Sequence, residues 1–127
     1  LIGLAAAVDF GKDFYNNLTK KNKNDLKKNG ITKISSSGFS YSLKSNFLIE
    51  AKKNNILNKP FKYKKPFILI HGLKDDVVNH DMPRKIMNIT TGNNVRIIYL
   101  KSSDHRLSKP EDLSIINNAI DSILYKI

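Results

Sequence analysis

Three short apolar runs constrain this chain more than anything else in it: LIGLAAAV (Leu1 to Val8), FILIHG (Phe67 to Gly72) and VRIIYL (Val95 to Leu100). Each is long enough for a strand and far too short to span a bilayer. Continuous apolar runs, rather than alternating ones, suit strands covered on both faces, as in parallel sheets. Between the runs the periodicity changes. In SLKSNFLIEAKKNNIL (Ser42 to Leu57), Leu43, Phe47 and Ala51 recur at helical spacing, with Leu48 widening the stripe. Asp13 to Asn29 is polar and helix-permissive, with Phe14, Leu18 and Leu26 as sparse anchors and Gly30 as its stop. Ile31 to Ser40 reads as a loop from its serine and glycine content.

The pattern predicts a helix over Met82 to Thr91, with Met82, Ile86 and Ile89 on one face. A last helix begins near Ser108, which with Glu111 forms a capping-box signature around Pro110. Leu113, Ile116, Ile120 and Leu124 supply its buried stripe. The order is strand, two helices, strand, helix, strand, helix. Such alternation implies an α/β fold with parallel strands. In sheets of that kind, ligands meet the loops at the carboxyl ends of the strands. Each such loop here holds a polar candidate: Asp9 after the first strand, Asp75 and Asp76 after the second, His105 after the third.

Composition removes several classes of function. With no cysteine, a thiolate zinc site, a cysteine nucleophile and a disulfide framework are all excluded, in keeping with a reducing, cytoplasmic setting. The three histidines lack metal-ligand spacing, and no His-Glu-x-x-His motif occurs, so no metal and no cofactor are expected. The net charge of +11 invites a nucleic-acid reading. Against it, the charge is almost all lysine, Arg84, Arg96 and Arg106 being the only arginines. Base readers and phosphate clamps favour the rigid arginine fork, and no basic stripe interleaved with aromatics appears. The densest run, LTKKNKNDLKKNG, reads as a solvated helix face. Neither a nucleic-acid partner nor a membrane span is expected.

The chemistry lies in HGLKDDVVNH (His71 to His80) and SSDHRLS (Ser102 to Ser108). If the two preceding strands are neighbours, their carboxyl-end loops place an aspartate beside a histidine. An aspartate that accepts the imidazole N–H fixes its tautomer and stabilises the imidazolium formed when the other nitrogen takes a proton. Such a pair is two-thirds of a catalytic triad.

FILIHGLKDDVV, followed about thirty residues on by VRIIYLKSSDHRLSKPEDL, resembles the last two strands of the α/β-hydrolase superfamily. There the chain order is serine, acid, histidine. GLAAAVDFGKDF and the tail DHRLSKPEDL are similar to the serine esterases of the palmitoyl-protein thioesterase and acyl-glucuronide esterase type. The resemblance covers almost the whole chain. It implies the carboxyl-terminal part of an α/β-hydrolase fold, with three parallel strands, flanking helices and a small helical lid over residues 13–59. Residues 66–127 would carry the acid and histidine strands. Asp75 would be the triad acid and His105 the base, with Asp76 the competing acid. Asp75 is favoured because it stands four residues after His71, as in the family pattern. Asn79 departs from that pattern, which usually has proline there. His71 is expected to bond locally and shape the acid loop, and His80 to lie at the surface. Asp9 and Phe10 would line the acyl pocket. Asp104 and Arg106 are expected to pair with nearby charges.

The family's Gly-x-Ser-x-Gly nucleophile turn does not occur in these residues. The only local candidate, SSSGF (Ser35 to Phe39), follows no apolar strand and is set aside. The expectation is therefore an ester or thioester hydrolase fragment, inactive alone. Its partners would be a missing amino-terminal half, in cis or in trans, and a small acyl ester or thioester. Leu1 in place of a methionine suggests that the natural chain starts earlier. The alternative is a non-enzymatic split-gene remnant or assembly half, and after it a basic nucleic-acid-binding module. Without the nucleophile strand, one edge of the sheet is expected to lie open.

Overall fold

The computed structural model describes residues 1–36 and 38–125. In chain order the elements are β1 (Ile2–Leu4), α1 (Gly11–Asn17), α2 (Lys20–Asn29), β2 (Ile31–Ser36), β3 (Phe39–Lys44), α3 (Ser45–Lys53), β4 (Phe67–Gly72), α4 (Met82–Ile89), β5 (Val95–Leu100) and α5 (Pro110–Leu124). They form two compact units, one made of residues 1–8 and 56–127, the other of residues 9–55.

The first unit holds a parallel sheet of order β1-β4-β5. Strand β4 is buried along its whole length, and its side chains divide by strand periodicity. Ile68 and Ile70 turn to one face, where they meet Ala119 and Ile123 of α5 and the loop residue Leu107. Phe67 and Leu69 turn to the other face and meet Ile86 of α4, with Val95 and Ile97 of β5 beside them. FILI is continuously apolar because both faces are covered. Each such side chain contributes about 1.5–3 kcal/mol by leaving water. Truncating Leu69 to alanine would cost about 2–5 kcal/mol.

Strand β1 is shorter than the apolar run that predicts it. Ala5 adopts a left-handed backbone (φ +43°), so regular pairing ends at Leu4. The Ala5 amide still donates to the Ile70 carbonyl at 2.9 Å. Ala5 is buried in the α5 face, and Ala6 and Val8 pack against the α4 face. Apolar pattern alone does not separate a paired strand from an irregular segment that packs equally well.

In the second unit the polar stretch from Asp13 to Asn29 is two helices, interrupted at Leu18 and Thr19. Thr19 caps α2, its Oγ1 accepting the Asn22 amide at 3.1 Å, and Gly30 (φ +69°) ends that helix. The segment read as a loop, Ile31 to Ser40, is instead most of an antiparallel hairpin registered from Ile31↔Lys44 to Ser36↔Phe39. Its strands are held at the buried Thr32↔Leu43 pair. The Asn22 side-chain Nδ2 donates to Thr32 Oγ1 and to the Lys33 carbonyl, both at 2.9 Å. Only that end of the hairpin is buried, so its alternation is too faint to read from sequence. The helix expected from Ser42 begins at Ser45, because β3 takes the residues before it. The unit therefore contains a hairpin as well as helices. Of the SSSGF stretch, Ser37 lies outside the described residues, as do the last two residues of the 66–127 segment. No helix among the described residues is long and apolar enough to cross a membrane.

Candidate active site

Strand β4 delivers His71 and Gly72 to the carboxyl end of the sheet, and the chain then turns through Leu73 to Val78. The turn is built around the Asp75 carboxylate. Its Oδ1 accepts the amides of Val77 (2.9 Å) and Val78 (2.8 Å). Those two bonds fix the carboxylate and leave Oδ2 facing away from the turn's own backbone. His71, fully buried, supports the turn from the strand side. Its Nε2 lies 3.0 Å from the Val78 carbonyl and 3.4 Å from Asp75 Oδ2. A carbonyl and a carboxylate only accept, so Nε2 carries the proton and donates. This is the local shaping role the sequence assigns to His71.

Strand β5 lies beside β4 in parallel, with His71↔Tyr99 and Gly72↔Leu100 in register. The loop that follows β5 therefore emerges next to the Asp75 turn. The Leu73 amide donates to the Leu100 carbonyl at 2.9 Å, and the Lys74 amide to the Ser103 carbonyl at 3.0 Å. Gly72 permits this approach, since a Cβ there would lie 2.2 Å from the Ser103 carbonyl oxygen. The far side of the loop is tied to α5. The buried Ser103 hydroxyl donates to the buried Asp112 carboxylate, whose other oxygen accepts the Lys109 amide at 3.3 Å. The helix start thus uses Asp112, not the predicted Ser108 and Glu111. Leu107, buried with φ +48°, plugs the loop into the core.

Held between these ties, His105 places Nδ1 at 2.9 Å from Asp75 Oδ2. The carboxylate can only accept, so Nδ1 bears the proton and donates. Nε2 is then the basic nitrogen and makes no hydrogen bond among the described residues. The His105 side chain is 37% exposed, whereas the Asp75 side chain is wholly shielded. Burial is the largest single influence on the Asp75 carboxyl and opposes its ionisation. The Val78 amide, the His105 side chain and the Val77 amide oppose burial and together prevail, holding the carboxyl below its ordinary value. A buried, ionised acceptor on one imidazole nitrogen and a free lone pair on the other make a general base with a fixed tautomer.

Asp76 is exposed and takes no part in the pair. Asp9 adopts a left-handed backbone (φ +55°) at the start of the second unit. Phe10 packs in that unit edge-on against Phe14 and tilted against Phe47, with ring centroids 6.5 and 5.9 Å apart. Together with Tyr41 and Leu43 these rings wall a cavity of about 390 Å³. His80 is exposed, and its carbonyl accepts the Tyr99 hydroxyl at 2.9 Å. Asp104 accepts the Arg106 backbone amide at 3.0 Å, a local turn rather than the charge pairing expected. No group of three or more metal-ligating side chains occurs among the described residues. Sequence reasoning missed Ser103 and Asp112 as the pair that holds the histidine loop. The one available signal was an acid at the third position of a helix that starts with proline.

No family model matches the chain. It is 29% identical over 131 residues to the mitochondrial palmitoyl-protein thioesterase ABHD10 of Bos taurus, covering all of this chain and 42% of that protein. It superposes on the mouse alpha/beta hydrolase domain-containing protein 10 with a TM-score of 0.82 at 24% identity, over 99% of this chain and 52% of that one. The chain has the fold of part of an α/β-hydrolase. It also superposes on a protein of Agrobacterium vitis S4 described as a hydrolase, with a TM-score of 0.86 at 22% identity. That match covers 96% of this chain and 48% of the other. The chain thus spans about half the length of the relatives it matches, and its three-stranded sheet with flanking helices is part of their fold.

Proposed function

We propose that this chain is the acid- and histidine-bearing half of a serine-type ester or thioester hydrolase, with Asp75 and His105 as two members of its triad. The observation that carries the proposal is the 2.9 Å bond between a shielded carboxylate and a half-exposed imidazole, at the carboxyl ends of adjacent parallel strands. The nucleophilic serine and the oxyanion donors come from residues outside these 127, in the same chain or in a second one.

In the proposed reaction His105 Nε2 takes the proton of the serine hydroxyl as Oγ forms its bond to the acyl carbon. The imidazolium is stabilised by Asp75 through the Nδ1–H bond. As the tetrahedral intermediate collapses, the carbon–sulfur or carbon–oxygen bond breaks and His105 returns its proton to the leaving thiolate or alkoxide. Water then attacks the acyl-enzyme as His105 accepts its proton; the bond from the acyl carbon to the serine Oγ breaks, His105 returns the proton to Oγ, and the carboxylic acid leaves. The scheme calls on no metal or cofactor. Residues 13–59 serve as the lid, and Phe10 with its aromatic neighbours offers an apolar wall for the acyl group. The cattle relative is named a palmitoyl-protein thioesterase, which favours a long acyl chain in thioester linkage. A cytoplasmic location belongs to the same proposal, although that relative is named mitochondrial.

Without the serine, the base has only water to deprotonate, so the 127 residues alone are inactive in this scheme. The test is hydrolysis of a long-chain acyl thioester by the complete enzyme. His105→Ala and Asp75→Asn should each lower kcat by about 10³- to 10⁴-fold. Asp76→Asn should leave it within about twofold, because that side chain points to solvent. Full activity in His105→Ala would defeat the proposal.

A further inference from the structure

The second unit contains a cavity of about 540 Å³ between α1, α2 and α3 that the hydrolase chemistry does not use. Its walls are apolar, made largely by Tyr15, Leu26, Leu48 and Ile49. Three lysines also line it, one from each helix: Lys12, Lys27 and Lys52. No acidic side chain among the described residues does. None of the three ammonium groups makes a hydrogen bond or ion pair among the described residues. Glu50, the acid closest to Lys52 in sequence, is occupied by Lys53 at 2.7 Å.

Lysines from three separate helices line one largely apolar cavity. The volume lies in the range of small-molecule sites, and an apolar wall with a few charged groups fixes a ligand's orientation as well as its class. Nucleic acid fits poorly, since the wall is aliphatic and offers no row of stacking rings.

We propose that this cavity binds a single-chain amphiphile with an anionic head, its apolar chain against Leu26, Leu48 and Ile49 and its head among Lys12, Lys27 and Lys52. Every residue involved belongs to the second unit and none is Asp75 or His105, so the inference does not depend on the triad pair. A free fatty carboxylate and an anionic single-chain lipid share this chemistry.

The experiment is an amide chemical-shift titration of the full chain with decanoate, decyl phosphate and decan-1-ol, all kept below micelle formation. Decanoate should produce saturable shifts at Tyr15, Leu48 and Ile49, and should bind at least about tenfold more tightly than the neutral alcohol. In the triple variant Lys12→Gln, Lys27→Gln, Lys52→Gln that preference should vanish while the weak alcohol binding survives. These lysines are exposed, so the variant keeps the fold. Leu48→Trp, which fills the cavity, should abolish binding of both. Tighter binding of the phosphate than of the carboxylate would point to a lipid source, and the reverse to a free fatty acid. Absence of saturable decanoate binding, equal affinity for decanoate and alcohol, or an unchanged preference in the lysine variant would each overturn the proposal.

Discussion

Asp75 meets two opposing influences: burial discourages its charge, while two backbone amides and the His105 imidazole favour it, and the favourable set prevails. Its folded-state pKa is therefore depressed. A depressed carboxylate contributes stability that is fully present above the unfolded-chain value, about 3.9, and is lost as pH falls through the lower folded value. Denaturant unfolding of the chain and of its Asp75→Asn variant should show this directly. The stability gap between them should be widest near neutral pH and should shrink once the pH drops below about 4. A gap that is constant from neutral to acid would mean that the charge is not what the turn holds. The two residues of the pair were legible in the sequence because each follows an apolar strand at fixed spacing. Ser103 and Asp112 were not. A buried serine–aspartate bond leaves no periodic trace, and Ser108 with Glu111 offers an equally good capping pattern one residue earlier.

Between β4 and the loop after β5, the site depends on how closely two backbones approach. Gly72→Ala would drive a methyl group to 2.2 Å from the Ser103 carbonyl oxygen and 2.8 Å from that of Asp104. The loop must then shift, and it carries His105. We expect a loss of about 1–3 kcal/mol in unfolding free energy, together with loss of the downfield Nδ1–H proton resonance of His105. Retention of that resonance would show that the loop absorbs the methyl without moving the histidine. Asp112→Ala leaves the Ser103 hydroxyl and the Lys109 amide without their acceptor. A destabilisation of about 1–3 kcal/mol is expected for a buried donor left unsatisfied, measurable by urea unfolding. The strands β4 and β5 and the helices α4 and α5 were readable from apolar pattern to within a few residues. The hairpin of β2 and β3 was not, because one end packs against α2 while Phe39 near its turn is 77% exposed. Alternation records burial, and where burial covers only one end of an element the record is incomplete.

Over the whole chain, the sheet ends on β1, which pairs with β4 on one side and with no strand among the described residues on the other. Leu1 and Leu4 beside that edge are nearly half exposed. An apolar edge of this kind recruits further strands. Light scattering on the isolated 127 residues should therefore show self-association, or thermal unfolding should be broad and early. A sharp transition from a monomer would contradict that expectation. The relatives are about twice as long, and about half of each lies outside the match to these 127 residues. The central claim is that Asp75 and His105 activate a serine lying among such residues. Its most direct test is labelling with a serine-reactive fluorophosphonate probe in source-cell lysate, followed by capture through an antibody to this chain. The account predicts a labelled serine on the captured protein, or on a chain captured with it, and loss of that label when His105 is replaced by alanine. Absence of label from everything captured, or a label indifferent to His105→Ala, would contradict it.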